Sequence, residues 1–254
     1  MRRVLVVGAT SAMAQETAKI LAGEGSRFFL VGRDKTKLTD IAADLVLRGG
    51  KVDEPYAINI ANLNGHLDMV ERAFEAMGGV DVLIVAHGTN PDLGWQSWEV
   101  ATETIMVNGV SAVSVAAAVA DRFVKQGHGL ILLISSVAGD RGKQSNYTYC
   151  AAKALVSRYA EGLRHRLIKM KSGVRVVDIK PGLTDTPLTA GLKKGLLWVG
   201  PATIATGIVG IIHRYENLKV GQYLPGTVYL PSFWRFVMLV IRHIPDKLFI
   251  KTNL

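Results

Sequence analysis

Tyr149 and Lys153 stand four residues apart in a segment with helical periodicity, so both lie on one face of the predicted helix. A tyrosine hydroxyl, with an ordinary pKa of about 10, is a poor acid at neutral pH, but a nearby ammonium group favours the phenolate and lowers that pKa. Ser136 could hydrogen-bond the oxygen on which the tyrosine acts. The three side chains together predict proton transfer to or from a carbonyl or hydroxyl oxygen. A Tyr-x-x-x-Lys pair alone is equally typical of a structural helix.

A turn of small residues follows the first apolar run and precedes a helical segment. It reads Gly8-Ala9-Thr10-Ser11-Ala12-Met13. Small residues let the backbone approach a pyrophosphate, and the amino terminus of the following helix offers N–H groups to it. Only Gly8 remains of the three glycines typical of such loops, so an ordinary strand-to-helix turn is the alternative.

Arg33 follows the second apolar run, where dinucleotide sites carry an acidic residue for a ribose hydroxyl or an arginine for a 2′-phosphate. Because a guanidinium matches phosphate geometry, we expect NADP (NADPH) as cofactor rather than NAD. If Asp34 neutralises Arg33, the arginine is only a solvated turn residue. Asn59, at the end of the third apolar run, could hydrogen-bond the edge of an adenine. The turn Ala86-His87-Gly88, at the end of the fourth run, could pass beneath a ribose.

These candidate residues follow apolar runs of strand length that alternate with amphipathic segments of helix length. Runs that are apolar on both faces and separated by helices are typical of parallel strands covered on two sides. We therefore predict an α/β fold, a single doubly wound parallel sheet (Rossmann-type) with helices on both faces, over residues 1–254. The predicted strands are Val4–Val7, Phe28–Val31, Tyr56–Ile60, Val82–Ala86, Leu130–Ser135, Val174–Ile179 and Val228–Leu230, and the predicted helices include Gln15–Ala22, Lys37–Leu47, Leu67–Met77, Thr102–Lys125 and Ala151–Met170.

Composition limits the remaining possibilities. With 49% hydrophobic and 20% charged residues in 254, the chain is too apolar for a disordered protein. The single cysteine, Cys150, and six scattered histidines predict no disulfide framework and no metal site. No signal peptide or spanning segment is expected, which favours a cytoplasmic protein. The net charge of +9 favours a phosphorylated ligand or an anionic membrane surface, and we expect no nucleic acid partner because no nucleic-acid motif accompanies it.

The motifs together resemble the short-chain dehydrogenase/reductase family over nearly the whole chain. The resemblance implies hydride transfer with a nicotinamide cofactor, with Ser136, Tyr149 and Lys153 as the catalytic core and Asn108 supporting a proton-relay water. It also implies that Lys153 bonds the nicotinamide ribose and that a homo-oligomer forms. The residues that carry the resemblance are Gly8-x-x-x-Ala12-x-Ala14, Ala86-His87-Gly88, Asn108, Ser136, Tyr149-x-x-x-Lys153 and Pro181-Gly182-x-x-x-Thr186.

Further cofactor contacts and departures follow from the same resemblance. Pro181, Gly182, Thr184 and Thr186 match the segment that meets the nicotinamide. The fourth strand ends in Val85-Ala86-His87-Gly88 where the family usually has Asn-Asn-Ala-Gly. His87 is therefore either an ordinary turn histidine or a residue that approaches the ribose or the catalytic lysine.

Two segments outside the regular alternation bear on the substrate. Residues 183–200 form an insertion, here called the lid, in which apolar residues accompany Lys193 and Lys194. Residues 231–254, here called the tail, mix aromatic and aliphatic residues with four basic ones. The tail either lies on an anionic membrane, giving peripheral contact at the inner face, or packs on the domain or a partner subunit.

The tail and the residues around Tyr149 resemble the family branch that reduces decaprenylphosphoryl-2-keto-ribose. That resemblance implies a ketone on a lipid-linked (polyprenyl-phosphate) keto sugar, or a similar substrate, in cell envelope biosynthesis. The alternatives are a reductase of a soluble 3-oxoacyl, steroid or quinone carbonyl, and a dinucleotide-binding module without catalysis. Retention of Asn108, Ser136, Tyr149 and Lys153 argues against the module.

Overall fold

The strands pair in parallel in one sheet, which confirms the predicted fold class. The computed structural model describes residues 1–89, 95–218 and 222–252. Within these residues the strands are β1 (Arg3–Val7), β2 (Arg27–Gly32), β3 (Lys51–Val52), β4 (Tyr56–Ala57), β5 (Val82–Val85), β6 (Gly129–Ile134), β7 (Val174–Pro181) and β8 (Thr227–Leu230). The order across the sheet is β3-β2-β1-β5-β6-β7-β8, and β4 also pairs with β2.

Helices cover both faces of the sheet. They are α1 (Ala12–Gly23), α2 (Lys35–Leu47), α3 (His66–Met77), α4 (Trp98–Ile105), α5 (Ser111–Gln126), α6 (Tyr147–Lys169), α7 (Pro201–Glu216), α8 (Trp234–His243) and α9 (Asp246–Phe249). One core lies between the sheet and α3, α5 and α6, and the other lies between the sheet and α1, α2 and α7. Alternate residues of β1 enter opposite cores, so every residue from Val4 to Val7 is buried.

The strand order reverses at β1, which positions the site. Val7 of β1 pairs with Val31 of β2 on one side and with Val85 of β5 on the other. The turns after these three strands therefore open at one edge of the sheet. Open parallel sheets bind their ligands in the crevice at such a reversal.

The third predicted strand, Tyr56–Ile60, is wrong in its extent. Only Tyr56–Ala57 (β4) forms a strand there, Ile58 still donates to the Gly32 carbonyl oxygen at 2.8 Å, and Asn59 and Ile60 lie beyond the strand. A separate short strand, β3, precedes Pro55, which cannot donate a ladder hydrogen bond and so accounts for the gap between β3 and β4.

The predicted helix Thr102–Lys125 lies within a longer helical segment, Trp98–Gln126, which contains a π-helical turn at Met106–Val110. By length and composition this segment could cross a membrane, contrary to the expectation that none would. However, 61% of its most apolar window is buried inside the protein. Such burial is typical of a core helix.

The described part of the tail, residues 231–252, folds back onto the domain. The inner face of α8 buries Trp234 and Met238 against Val137, and Leu183, Val237 and Ile241 pack around them. Arg141 holds the end of α8, since its guanidinium donates to the carbonyl oxygens of Ile241 and Ile244 at 2.5 and 2.6 Å. The same guanidinium pairs with Asp246 at 2.7 Å and lies 3.8 Å from the centroid of the Phe249 ring.

This packing predicts different costs for two aromatic residues of α8. Trp234→Ala should lower the free energy of unfolding by about 3 kcal/mol, because it removes a large buried side chain. Phe236→Ala should change it by less than about 0.5 kcal/mol, because Phe236 is exposed. Urea unfolding of the two variants checks this, and equal costs would contradict the orientation of α8.

Candidate active site

Ser136, Tyr149 and Lys153 are brought together where β6 meets α6. Ser136 lies two residues after the end of β6 and precedes a 3-10 turn (Val137–Asp140), with its Oγ accepting a hydrogen bond from the Ala138 N–H at 3.1 Å. Gly139 allows this turn to touch α6, because a Cβ atom there would lie 2.8 Å from the carbonyl carbon of Lys153. The close approach places the Ser136 hydroxyl near that of Tyr149, where it favours the phenolate.

Burial dominates the acid–base behaviour of Tyr149. It raises the pKa of the hydroxyl to about 12, and the hydrogen bond with Ser136 lowers it in part. The sequence-based expectation that Lys153 brings this pKa below its ordinary value is therefore wrong for this structure. The Lys153 Nζ lies 5.7 Å from the centroid of the Tyr149 ring. The loss of water around the hydroxyl is the largest cause of the raised pKa. Tyr149 is thus protonated at neutral pH, and the raised pKa makes it a weaker acid than a solvated tyrosine until an interaction stabilises its phenolate.

Lys153 is itself desolvated. Its side chain is buried, and Nζ donates a hydrogen bond to the Ile134 carbonyl oxygen at 3.1 Å. Burial lowers the pKa of the ammonium to about 8, although the nearby Asp178 carboxylate raises it in part. The lysine therefore carries its charge through most of the neutral range and loses it in mild alkali.

Asn108 lies in the π-helical turn, buried beside the lysine. Its Oδ1 accepts from the Thr89 N–H and its Nδ2 donates to the Thr104 carbonyl oxygen, both at 3.0 Å. A Cβ atom on Gly88 would lie 2.7 Å from Asn108 Oδ1 and 3.8 Å from Lys153 Nζ, so the three residues share one corner. The role of Asn108 in holding a relay water stays a prediction.

A network of buried polar groups holds the 3-10 turn after Ser136, here called the serine turn, against β7 and β8. Asp140 at the end of the turn accepts from Lys180 at 2.6 Å and from the Tyr229 hydroxyl at 2.7 Å. Lys180 also lies 3.5 Å from Asp178, which accepts a hydrogen bond from Ser135. Burial and the Asp140 carboxylate raise the pKa of Tyr229. Because each buried charge has a partner, the turn that carries Ser136 is held in place.

A cavity of about 260 Å³ extends from Asn108, Tyr149 and Lys153, here called the catalytic corner, to the turns after β1 and β2. The first turn of α1 borders it, and the Ser11 side chain makes no capping hydrogen bond there, so the helix keeps donors for an anion. Gly8 adopts a φ of 87°, which favours glycine. The predicted residues that line this cavity are Gly8, Thr10, Ser11, Ala12, Met13, Arg33, Asn59, Ala86, His87, Gly88, Asn108, Tyr149, Lys153 and Thr186.

His87 supplies a polar atom in this cavity. Ser111 Oγ donates to the Val107 carbonyl oxygen, so it accepts from His87 Nε2, which lies 2.8 Å away. His87 Nδ1 is then an unprotonated acceptor, and it is buried with no hydrogen-bond partner among the described residues. Burial, reinforced by the Lys153 charge, lowers the pKa of His87 to about 3. The free N–H groups at the amino terminus of α1, rather than this enclosed atom, are the donors that fit the phosphates of a dinucleotide.

Arg33 lines the cavity, and its neighbour does not neutralise it. Asp34 caps α2, accepting from the Lys37 N–H at 3.1 Å, and its other oxygen lies 3.6 Å from Lys37 Nζ. Within the described ranges the Arg33 side chain makes no ion pair or hydrogen bond. The guanidinium is therefore available for a phosphate.

Four predicted residues lie outside this cavity. Ser136 lies beside Tyr149 but does not line the cavity itself, and Pro181 ends β7. Gly182 packs against the Trp234 indole, where any Cβ atom would clash. Thr184 is buried, and its hydroxyl donates to the Gly182 carbonyl oxygen at 3.1 Å. Nicotinamide contact by Pro181, Gly182 and Thr184 stays a prediction.

Several residues of the site were missed by the sequence analysis. Thr89 and Ser111 orient Asn108 and His87, and Glu103 lines the cavity. Asp178 could have been predicted from the sequence, because it is an acid within the apolar run Val174–Ile179 and a charge inside a buried strand needs a partner.

No cluster of three or more metal-ligating side chains occurs among residues 1–89, 95–218 and 222–252.

Comparisons with known proteins agree with this geometry. Residues 2–196 match the short chain dehydrogenase family. An uncharacterised oxidoreductase of Staphylococcus aureus is 30% identical over 224 residues, covering 86% of this chain and 94% of its own. One from Streptomyces coelicolor is 28% identical over 253 residues, covering 98% and 94%. Their names indicate no substrate, and none of them points to the decaprenylphosphoryl-2-keto-ribose branch.

The fold has a solved counterpart. A short-chain type dehydrogenase/reductase from Mycobacterium ulcerans has a TM-score of 0.78 and 19% identity, covering 95% of this chain and 96% of that one. The family match, the site geometry and the shared architecture agree, so this chain belongs to the short-chain dehydrogenase family of oxidoreductases, which bind a nicotinamide dinucleotide.

Proposed function

We propose that this enzyme uses NADPH to reduce a ketone on a lipid-linked (polyprenyl-phosphate) keto sugar or a similar substrate. The observation that carries the reductase chemistry is the Ser136–Tyr149–Lys153 cluster beside a cavity that begins at the amino terminus of α1. The substrate class rests on the resemblance of the tail to one branch of the family, together with the surface described below.

In this mechanism the bound nicotinamide supplies the hydride. Ser136 hydrogen-bonds the substrate carbonyl oxygen and orients it, and Tyr149 donates its proton to that oxygen as negative charge develops. Tyr149 carries the proton for this step at neutral pH, because its pKa lies well above 7. The Lys153 ammonium stabilises the phenolate left behind, and Asn108 fixes the corner in which the lysine lies.

Arg33 supports the choice of NADPH. Its exposed guanidinium lines the cavity in the turn after β2. In NADP-binding folds of this type, an arginine near this position contacts the 2′-phosphate. A phosphate there would receive paired N–H donors.

The lid supports a substrate with an apolar part and an anionic group. Leu188 lines the cavity and is 44% exposed, and Leu196 and Leu197 are exposed further along. Lys194 is paired with Asp185, which leaves Lys193 as the lid lysine for a substrate phosphate. A cytoplasmic enzyme working at the inner face of the membrane, as a homo-oligomer, belongs to the same proposal.

A reductase of a soluble carbonyl substrate is the second candidate. It is favoured by the packing of the tail on the domain through Trp234 and Arg141, as expected for a tail with a structural role. The two candidates share the chemistry and differ in the substrate. Turnover of prenyl-phosphate keto sugars against 3-oxoacyl, steroid and quinone carbonyls separates them.

Replacing Tyr149 by Phe should lower kcat for ketone reduction by at least about 100-fold, because the proton donor is lost. NADPH affinity should change little, which fluorescence titration can measure. Tyr147→Phe is the matched control on the same helix: the residue is 40% exposed and its hydroxyl accepts a long hydrogen bond from the Gln96 N–H at 3.4 Å, so activity should persist. Substantial activity of Tyr149→Phe would exclude the mechanism.

Arg33→Ser should weaken NADPH binding by about 10- to 100-fold and leave NADH binding nearly unchanged, because it removes charged hydrogen bonds to the 2′-phosphate. Arg48→Ser, at the far end of α2, removes an equal charge away from the cavity and should affect neither cofactor. If wild type binds NADH as tightly as NADPH, the assignment of Arg33 is wrong.

The kcat/KM for reduction should fall above pH about 8, where Lys153 loses the proton whose pKa burial lowers. Asp178→Asn should move this decline to lower pH, because the Asp178 carboxylate raises the pKa of Lys153. Initial rates from pH 6 to 10 provide the test. A flat profile, or a shift to higher pH in the variant, would contradict the role of Lys153.

A further inference from the structure

The outer face of α8 is apolar although it faces water. Phe236, Leu239 and Val240 lie three and four residues apart, so they share one face, and they are 70%, 49% and 65% exposed. This face lies opposite Trp234 and Met238, which are buried against the domain. A surface helix of a soluble domain normally has charged residues on its outer face. The packing of the tail on the domain therefore explains only half of the apolar residues of α8.

Apolar residues are also exposed in and just after α9. Leu248 and Ile250, in and just after α9, are 58% and 70% exposed, while Phe249 between them is buried under Arg141. Arg141 joins the end of α8 to α9 through Ile244 and Asp246. We call the exposed residues Phe236, Leu239, Val240, Leu248 and Ile250 the tail surface.

Basic residues accompany the tail surface. Arg235 and Arg242, seven residues apart, lie on one flank of α8, and both are exposed. Neither guanidinium makes an ion pair or hydrogen bond with the part of the chain that the structure describes. Lys247 and Lys251 are exposed as well, and the acidic residue of this segment, Asp246, is paired with Arg141. The charge next to the apolar face is thus net positive, although Arg235 and Arg242 also line a cleft that contains Asp140 and Glu161.

We propose that the tail surface docks on a bilayer that contains anionic lipids. Exposed aromatic and aliphatic residues beside arginine and lysine are typical of helices that lie in the membrane interface, with the apolar face in the acyl boundary and the basic groups on the head groups. A second copy fits less well. A symmetric contact would place the same patch against itself and bring the arginines of both copies together.

The docked orientation places the catalytic corner near the lipid. The inner face of α8 packs on Val137, the residue after Ser136, and on Leu183 at the start of the lid. The proposal rests on the tail surface alone and not on the proposed substrate. Failure to bind vesicles and failure to reduce a lipid-linked keto sugar are therefore separate results.

The test is co-sedimentation of the full chain, without substrate, with vesicles of phosphatidylcholine alone or mixed in equal parts with phosphatidylglycerol. Wild type should sediment with the mixed vesicles and remain largely in solution with the neutral ones. Phe236→Ser/Val240→Ser should lower the partition coefficient at least about tenfold. Arg235→Gln/Arg242→Gln should lower it by about 10- to 30-fold, since each basic residue near an anionic surface contributes severalfold.

Matched controls use exposed residues elsewhere on the protein. Leu47→Ser/Leu67→Ser removes as many exposed apolar side chains, and Lys125→Gln/Lys169→Gln removes as many charges. Both should bind like wild type. Unchanged NADPH affinity and melting temperature show that every variant is folded. The proposal is overturned if wild type remains in solution with the mixed vesicles, if the tail variants bind as well as the controls, or if the tail variants change the oligomeric state while no form binds vesicles.

Discussion

The burial of both faces of a parallel sheet is the constraint on which this molecule depends. Since helices cover each face, polar side chains have few places inside, and the chemistry is displaced to the carboxyl ends of the strands. Four residues of the site lie just after the ends of strands: Gly8, Arg33, His87 and Ser136. Because Val7 pairs with Val31 and Val85, the ends of β1, β2 and β5 lie side by side at one edge of the sheet. The reversal of strand order at β1 then leaves the crevice that the cavity occupies. The exception is β7, where Asp178 and Lys180 lie inside the sheet and neutralise each other.

The periodicity of the sequence predicted the sheet well because each strand of the core is a continuous apolar run, a local property. It failed where a distant contact or a single residue overrides the pattern. The expected third strand, Tyr56–Ile60, is cut to the two residues of β4, and β3 pairs with β2 on the other side of Pro55. The tail reads as one apolar-basic stretch, yet it folds into α8 and α9 because Arg141, about a hundred residues earlier, caps carbonyl groups at the end of α8. No local pattern contains that contact.

The residue types of the site could be predicted, whereas their energetics could not. The spacing of Tyr149 and Lys153 placed both on one face of α6, but the expected lowering of the tyrosine pKa assumed a solvated pair. Burial reverses the balance for Tyr149 and also lowers the pKa of Lys153. Desolvation depends on what the rest of the chain places around a group, which spacing does not contain. For the same reason Thr89 and Ser111, the partners of Asn108 and His87, had no recognisable signal.

The network beneath the serine turn has a consequence for how dissolved salt acts on this protein. Mobile ions screen charges over about 10 Å at 0.1 M, but only where they have access. The Lys180–Asp140 pair is only 6% exposed, so dissolved salt screens it much less than it screens surface charges. Arg235 and Arg242 are exposed to solvent, so dissolved ions screen the charges of both guanidinium groups. Ionic strength thus separates the electrostatics that support Ser136 from those displayed by the tail.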